Sequence, residues 1–102
     1  MSSRIRNAMS GRDAAQAARL GLVAGDLSQS YSNISDAVRD VEDAREAVET
    51  ARANGQPQAS LDALLAIEVA KRAVLATAEE VARIQERAAV RRFPRHFKWL
   101  RR

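Results

Sequence analysis

The chain is 102 residues long with a formal net charge of +4, 29% charged residues, 4% aromatic residues and no cysteine. A length of this order is one small domain, and so few aromatic side chains leave little bulk with which to fill a core. The missing cysteines exclude disulfides, thiolate nucleophiles and cysteine zinc sites, and fit a reducing compartment. The most hydrophobic stretch, residues 61–78, is interrupted by Asp62, Glu68, Lys71 and Arg72, so it falls short of the roughly 18 uninterrupted apolar residues of a membrane span. The N-terminus has no continuous apolar segment of the kind that opens a secretion signal, which favours a place in the cytoplasm or within a particle.

Residues 1–32 read as an Ala-rich helical arm and linker. Ala14, Ala17, Ala18, Gly21 and Gly25 form a small-residue ridge, and Gly21 and Gly25 keep the four-residue spacing that lets helices approach closely. The same two glycines also read as the end or kink of a short helix, because glycine disfavours helix interiors. Asp26 and then Ser32 and Asn33, the last with Asp36 three residues on, are overlapping helix starts. Together they predict a break near residues 25–33.

Two seven-residue beats follow. In the first helix Leu20, Leu27, Ile34, Val41 and Val48 recur every seven residues, with Ala37, Ala44 and Ala51 at the companion positions of a coiled-coil seam. Asn54-Gly55 then supplies a left-handed residue to close the helix near Ala53, and Pro57 forbids its continuation. Ser60 is the expected cap of the second helix, with Asp62 in its first turn. There Ile67, Val74, Val81 and Ala88 repeat every seven residues, partnered by Ala63, Ala70, Thr77 and Ile84, a narrow stripe suited to close helix packing either within the hairpin or against another chain. The pattern runs to Arg92, about 50 Å of helix at 1.5 Å per residue, so the last turns are expected to project beyond the hairpin. Pro94 stops the helix by disfavouring helical geometry at Phe93.

Charge is sorted along the chain. Residues 1–25 carry a net of +3, residues 26–56 a net of −4, residues 57–86 a net of −2 and residues 87–102 a net of +7. The acidic hairpin repels a phosphate backbone, so a polyanion meets the ends.

Nothing converges into an enzyme site. The single histidine, His96, lies among Arg95, Lys98, Arg101 and Arg102, where positive neighbours disfavour the imidazolium that a general base forms. The carboxylates Asp40, Glu42, Asp43, Glu46 and Glu49 alternate with Arg39 and Arg45 in the manner of a solvated, salt-bridged face rather than a metal site. The expectation is a non-enzymatic protein with no cofactor and no metal.

The distinctive segment is C-terminal: Arg91, Arg92, Phe93, Arg95, Phe97, Lys98, Trp99, Leu100, Arg101 and Arg102 are the expected partner-binding residues. Phe93, Phe97 and Leu100 stand at i, i+4 and i+7, the anchor pattern of a helix docking into a protein groove, and Trp and Arg are the residue types of interface hot spots. Basic residues interleaved with rings also suit single-stranded nucleic acid, where rings stack on unpaired bases, or anionic lipid headgroups. A fourth reading folds the rings back on the hairpin as a plug.

No stretch carries a motif specific to a family. The sequence therefore predicts an all-α, antiparallel helical hairpin over residues 33–92, flanked by the Ala-rich arm of residues 1–32 and a basic aromatic tail of residues 93–102. Its apolar stripes are narrow, so a lone hairpin is marginal and a partner is the natural remedy. The expected role is a structural or adaptor subunit of a multi-subunit assembly, a virion or similar particle being one such setting, with other protein subunits as partners. The alternative is a nucleic-acid-binding accessory protein that uses the tail.

Overall fold

The computed structural model describes residues 11–100. Two long helices, α1 (Gly11–Ala53) and α2 (Gln58–Arg92), pack against each other as an antiparallel hairpin, and a short 3-10 turn, Lys98–Leu100, follows. The all-α hairpin read from the heptads is the fold.

The seam of α1 is the one its heptads predict. Leu27, Ala37, Val41, Val48 and Ala51 are buried, and Leu20, Ile34 and Ala44 are half-buried. The break expected at residues 25–33 does not occur. Leu27 and Ser30 inside that stretch are buried against α2 and the tail, so tertiary contacts override the local capping signals of Asp26 and Asn33. Gly21 and Gly25 lie within the unbroken helix, and a Cβ added at either meets nothing within 4 Å. They neither end the helix nor bring a second helix close.

The connection is the expected one. Gly55 adopts φ 67°, the left-handed geometry that glycine tolerates best. The Asn54, Gly55 and Gln56 amides donate to the carbonyls of Thr50, Arg52 and Ala51, closing the C-terminal end of α1. Helix α2 starts three residues earlier than a cap at Ser60 predicts. Pro57 stands at its N-cap position without a side-chain cap, and its carbonyl accepts from the amides of Ser60 and Leu61. Proline before the first turn needs no donor and already holds a helical φ. Asp62 falls after the first turn, where its Oδ1 accepts from Gln58 Nε2 at 2.8 Å.

The face that α2 turns toward α1 is not the stripe that its heptads mark. Ile67, Val74, Val81 and Ile84 are 49, 58, 43 and 52% exposed, and Ala63, Ala70 and Thr77 are exposed with them, Ala88 being half-buried. The seam instead uses Leu61, Leu64, Glu68, Lys71, Leu75, Ala78, Ala82, Gln85 and Ala89, which alternate three and four apart. This row gathers leucines and the two most deeply buried alanines of α2, and it extends directly into Phe93. Its polar members are satisfied. Ser30 Oγ donates to Gln85 Oε1 across the seam, Tyr31 Oη donates to Glu86 Oε2 at 2.7 Å, Lys71 Nζ lies 4.0 Å from Asp40 and Glu68 lies 3.7 Å from Arg72. Long side chains at a two-helix seam bury their stems and keep their heads in water.

Nor does α2 project beyond its partner. With 43 residues against 35, α1 is the longer helix, and its Leu20–Leu27 region covers the end of α2, where Ala89 is fully buried.

Because α1 runs straight through both glycines with open space around them, Gly21→Ala and Gly25→Ala should each stabilise the fold by about 0.5–1 kcal/mol, read as a rise in the urea midpoint. A loss of stability from either would show that the chain needs a hinge there. Gly55→Ala, at positive φ, should be destabilising in the same assay.

Candidate interaction surfaces

Helix α2 ends at Arg92 because Pro94 cannot continue it. The amide of Phe93 still donates to the Ala89 carbonyl at 2.8 Å, but its backbone has left the helix at φ −136° and ψ 64°. The chain then coils back on itself: the Phe97 amide donates to the Phe93 carbonyl and the Leu100 amide to the Phe97 carbonyl, each at 3.0 Å. Phe93, Phe97 and Leu100 therefore do not form one face of a continuous α-helix.

The turn divides the tail residues into two groups. Phe93 and Phe97 are 9 and 3% exposed and form one cluster with Leu27 and Ala89, flanked by Leu20, Val23, Val90 and Leu100. Their rings meet edge-to-face, centroids 6.3 Å apart at 66°, and His96 stands edge-on to Phe97 at 4.9 Å, the arrangement that aligns positive ring edges with negative faces. Both phenylalanines are thus spent within the chain. They act as the plug that locks the open end of the hairpin. The signal for this was the inner row Ala82-Gln85-Ala89, which leads straight to Phe93; it was obscured by the more obvious Ile and Val stripe beside it.

The second group faces outward. Trp99 is 59% exposed and tilts against Phe97 with centroids 6.4 Å apart, beside a hollow that includes Ala24, Ser28, Tyr31 and His96. Arg91, Arg92, Arg95 and Lys98 are exposed, Leu100 is half-buried, and Arg101 and Arg102 lie outside the described residues. Among the described residues no carboxylate pairs with Arg91, Arg92, Arg95 or Lys98 within 4.0 Å. Arg83, Arg87 and Arg91, four residues apart, line one groove with Val90 and Leu100.

Glu80 heads that row. Its carboxylate accepts from Arg83 at 2.7 Å and lies 3.8 Å from Arg87. The Arg83 hydrogen bond, and then the charges of Arg83 and Arg87, hold the Glu80 carboxyl below its usual pKa. That interaction is present above the ordinary carboxylate range and is lost on acidification; Glu80 is too exposed for it to govern stability.

The other surface is the displaced stripe. Ala63, Ile67, Ala70, Val74, Thr77, Val81, Ile84 and Ala88 run along α2 at coiled-coil spacing with no helix of the described residues upon them. Val69, 66% exposed, and Ala66, Ala73 and Ala76 widen it on the side away from α1. On the α1 side it borders a groove lined by Asn33, Asp36 and Asp40. An apolar row of this length on a small domain is characteristic of an interaction surface rather than of ordinary scattered exposure. Among the described residues, no three His, Asp or Glu side chains come together as a metal site requires, and no helix is long and apolar enough to cross a membrane.

No protein-family model matches the chain, and neither does any curated protein or solved structure.

The two groups of the tail should separate in a stability assay. Phe97→Ala removes a buried ring from the lock and should cost about 3–5 kcal/mol, whereas Trp99→Ala should stay within about 0.5 kcal/mol. Equal losses from the two would mean that Trp99 belongs to the core.

Proposed function

We propose that the chain is a non-enzymatic structural or adaptor subunit of a multi-subunit assembly, such as a virion or a similar particle. The observation that carries this reading is the exposed stripe of α2. The hairpin has already committed its own seam elsewhere, yet the sequence keeps a second full set of heptad positions apolar. A solvent-facing helix has no use for Ile67, Val74, Val81 and Ile84 at that spacing, whereas a helix with a neighbour does. The thin core supports the same reading: among the described residues the buried apolar positions are four alanines, two valines, Leu27, Phe93 and Phe97, with no large side chain fully buried, so a neighbour that binds only the folded hairpin adds stability by mass action.

The test is size in the cells that make the protein. At natural abundance in a gently prepared extract, the chain should migrate well above its 11.2 kDa, and a Val74→Asp/Ile84→Asp variant should shift to the free position. A wild-type chain that migrates as a single polypeptide overturns the reading.

Nucleic-acid binding is the second reading, favoured by one observation: an exposed Trp99 stands among exposed Arg91, Arg92, Arg95 and Lys98, with which no carboxylate of the described residues pairs. Bases would stack on the indole while the guanidinium groups displace counterions from phosphates. Trp99 fluorescence should then be quenched by a single-stranded oligonucleotide, with log K falling against log salt by about 0.7 per phosphate contacted. No quenching at low salt removes this reading.

A further inference from the structure

Resting on the assembly reading above, we infer that the occupant of the α2 stripe is a second copy of this chain, bound antiparallel through α2 about a two-fold axis between Val74 and Thr77.

The stripe is nearly the same read from either end. From the N-terminal side it runs Ala63, Ile67, Ala70, Val74; from the C-terminal side it runs Ala88, Ile84, Val81, Thr77. An antiparallel pair centred between residues 74 and 77 therefore stacks Ala63 on the second copy's Ala88, Ile67 on its Ile84, Ala70 on its Val81 and Val74 on its Thr77, and each layer recurs on the other side of the axis. Every position of the stripe finds a partner of fitting size over about 38 Å of helix. A contact in which residue i meets j and j meets i is the requirement of a closed two-fold dimer. A shift by one heptad leaves Ala63 and Ile67 uncovered.

Charge fits the same direction. Beside the stripe, away from α1, the N-terminal half of α2 presents Ala66, Val69, Ala73 and Ala76, while the C-terminal half presents Glu80 and Arg87, all exposed. Antiparallel docking lays the charged half of each copy over the uncharged half of the other and brings Asp62 to the level of the second copy's Arg87.

The chain has no native cysteine, so single cysteines report the geometry directly. The purified wild-type chain should sediment at twice its 11.2 kDa at tens of micromolar, and Val74→Asp should return it to the monomer mass with its helical circular dichroism kept. Ile67→Cys chains mixed with Ile84→Cys chains should give at least tenfold more crossed disulfide dimer than either variant gives with itself. Preferential self-crosslinking of each variant would mean parallel docking and overturn the inference, as would a wild-type mass that Val74→Asp leaves doubled. A purified monomer at 100 µM overturns it too. If that monomer is found while the cell extract still holds the chain in a large species, a different protein covers the stripe and the assembly reading stands; if the extract also shows a single chain, both fall.

Discussion

One helix can lie along only one face of another, and α2 carries two faces that want covering. The row from Leu61 through Ala82 to Ala89 and the row from Ala63 through Val74 to Ala88 are separated around the helix by roughly a quarter turn, too far for α1 to reach both at the 8–10 Å spacing of packed helices. The choice between them is made by the end of the molecule. Only the leucine and alanine row runs on into Phe93 and Phe97, and only it lets Ser30 meet Gln85. Choosing it leaves five β-branched side chains, Ile67, Val74, Thr77, Val81 and Ile84, in water. The position of the tail, the register of the hairpin and the identity of the outer surface all follow from this one competition.

The polar pairs across the seam then fix the register. Narrow seams of Ala and Val discriminate weakly between registers one heptad apart, since small side chains pack tolerably in several. A buried hydroxyl does not, because Ser30 slid away from Gln85 would lose its partner in a dry site. Tyr31 with Glu86, and Lys71 with Asp40, repeat the constraint further along. None contributes much stability where it is exposed, yet together they make one alignment the satisfied one.

Much of this was legible in the sequence. The heptads of α1, the Asn54-Gly55-Gln56-Pro57 connection and the stop at Pro94 act through local geometry, and local geometry is what a sequence displays. The face of α2 was not legible, because two periodic rows coexist and periodicity ranks them by hydrophobicity alone, whereas the fold ranks them by what lies at their ends. Continuity of α1 through Gly21, Gly25 and Asn33 was hidden for a related reason: the signals for a break are short-range, and the burial of Leu27 that overrides them depends on residues at the far end of the chain. The tail divided along the same line, Phe93 and Phe97 being drawn inward by a row that passes underneath them while Trp99 stays outside it.

The Leu27–Phe97 lock also bears on how the fold comes into being. Its partners sit at opposite ends of the polypeptide, as do Ser30 and Gln85, which are 55 residues apart, so during synthesis the greasy edge of α1 emerges long before anything that can cover it. Loop closure over such a span adds only about 0.6 kcal/mol for each doubling of length, so thermodynamics tolerates the wait; the hazard lies in time. Until the last aromatic residues clear the ribosome, a nascent chain offers its bare helix edge to chaperones and to sibling chains alike.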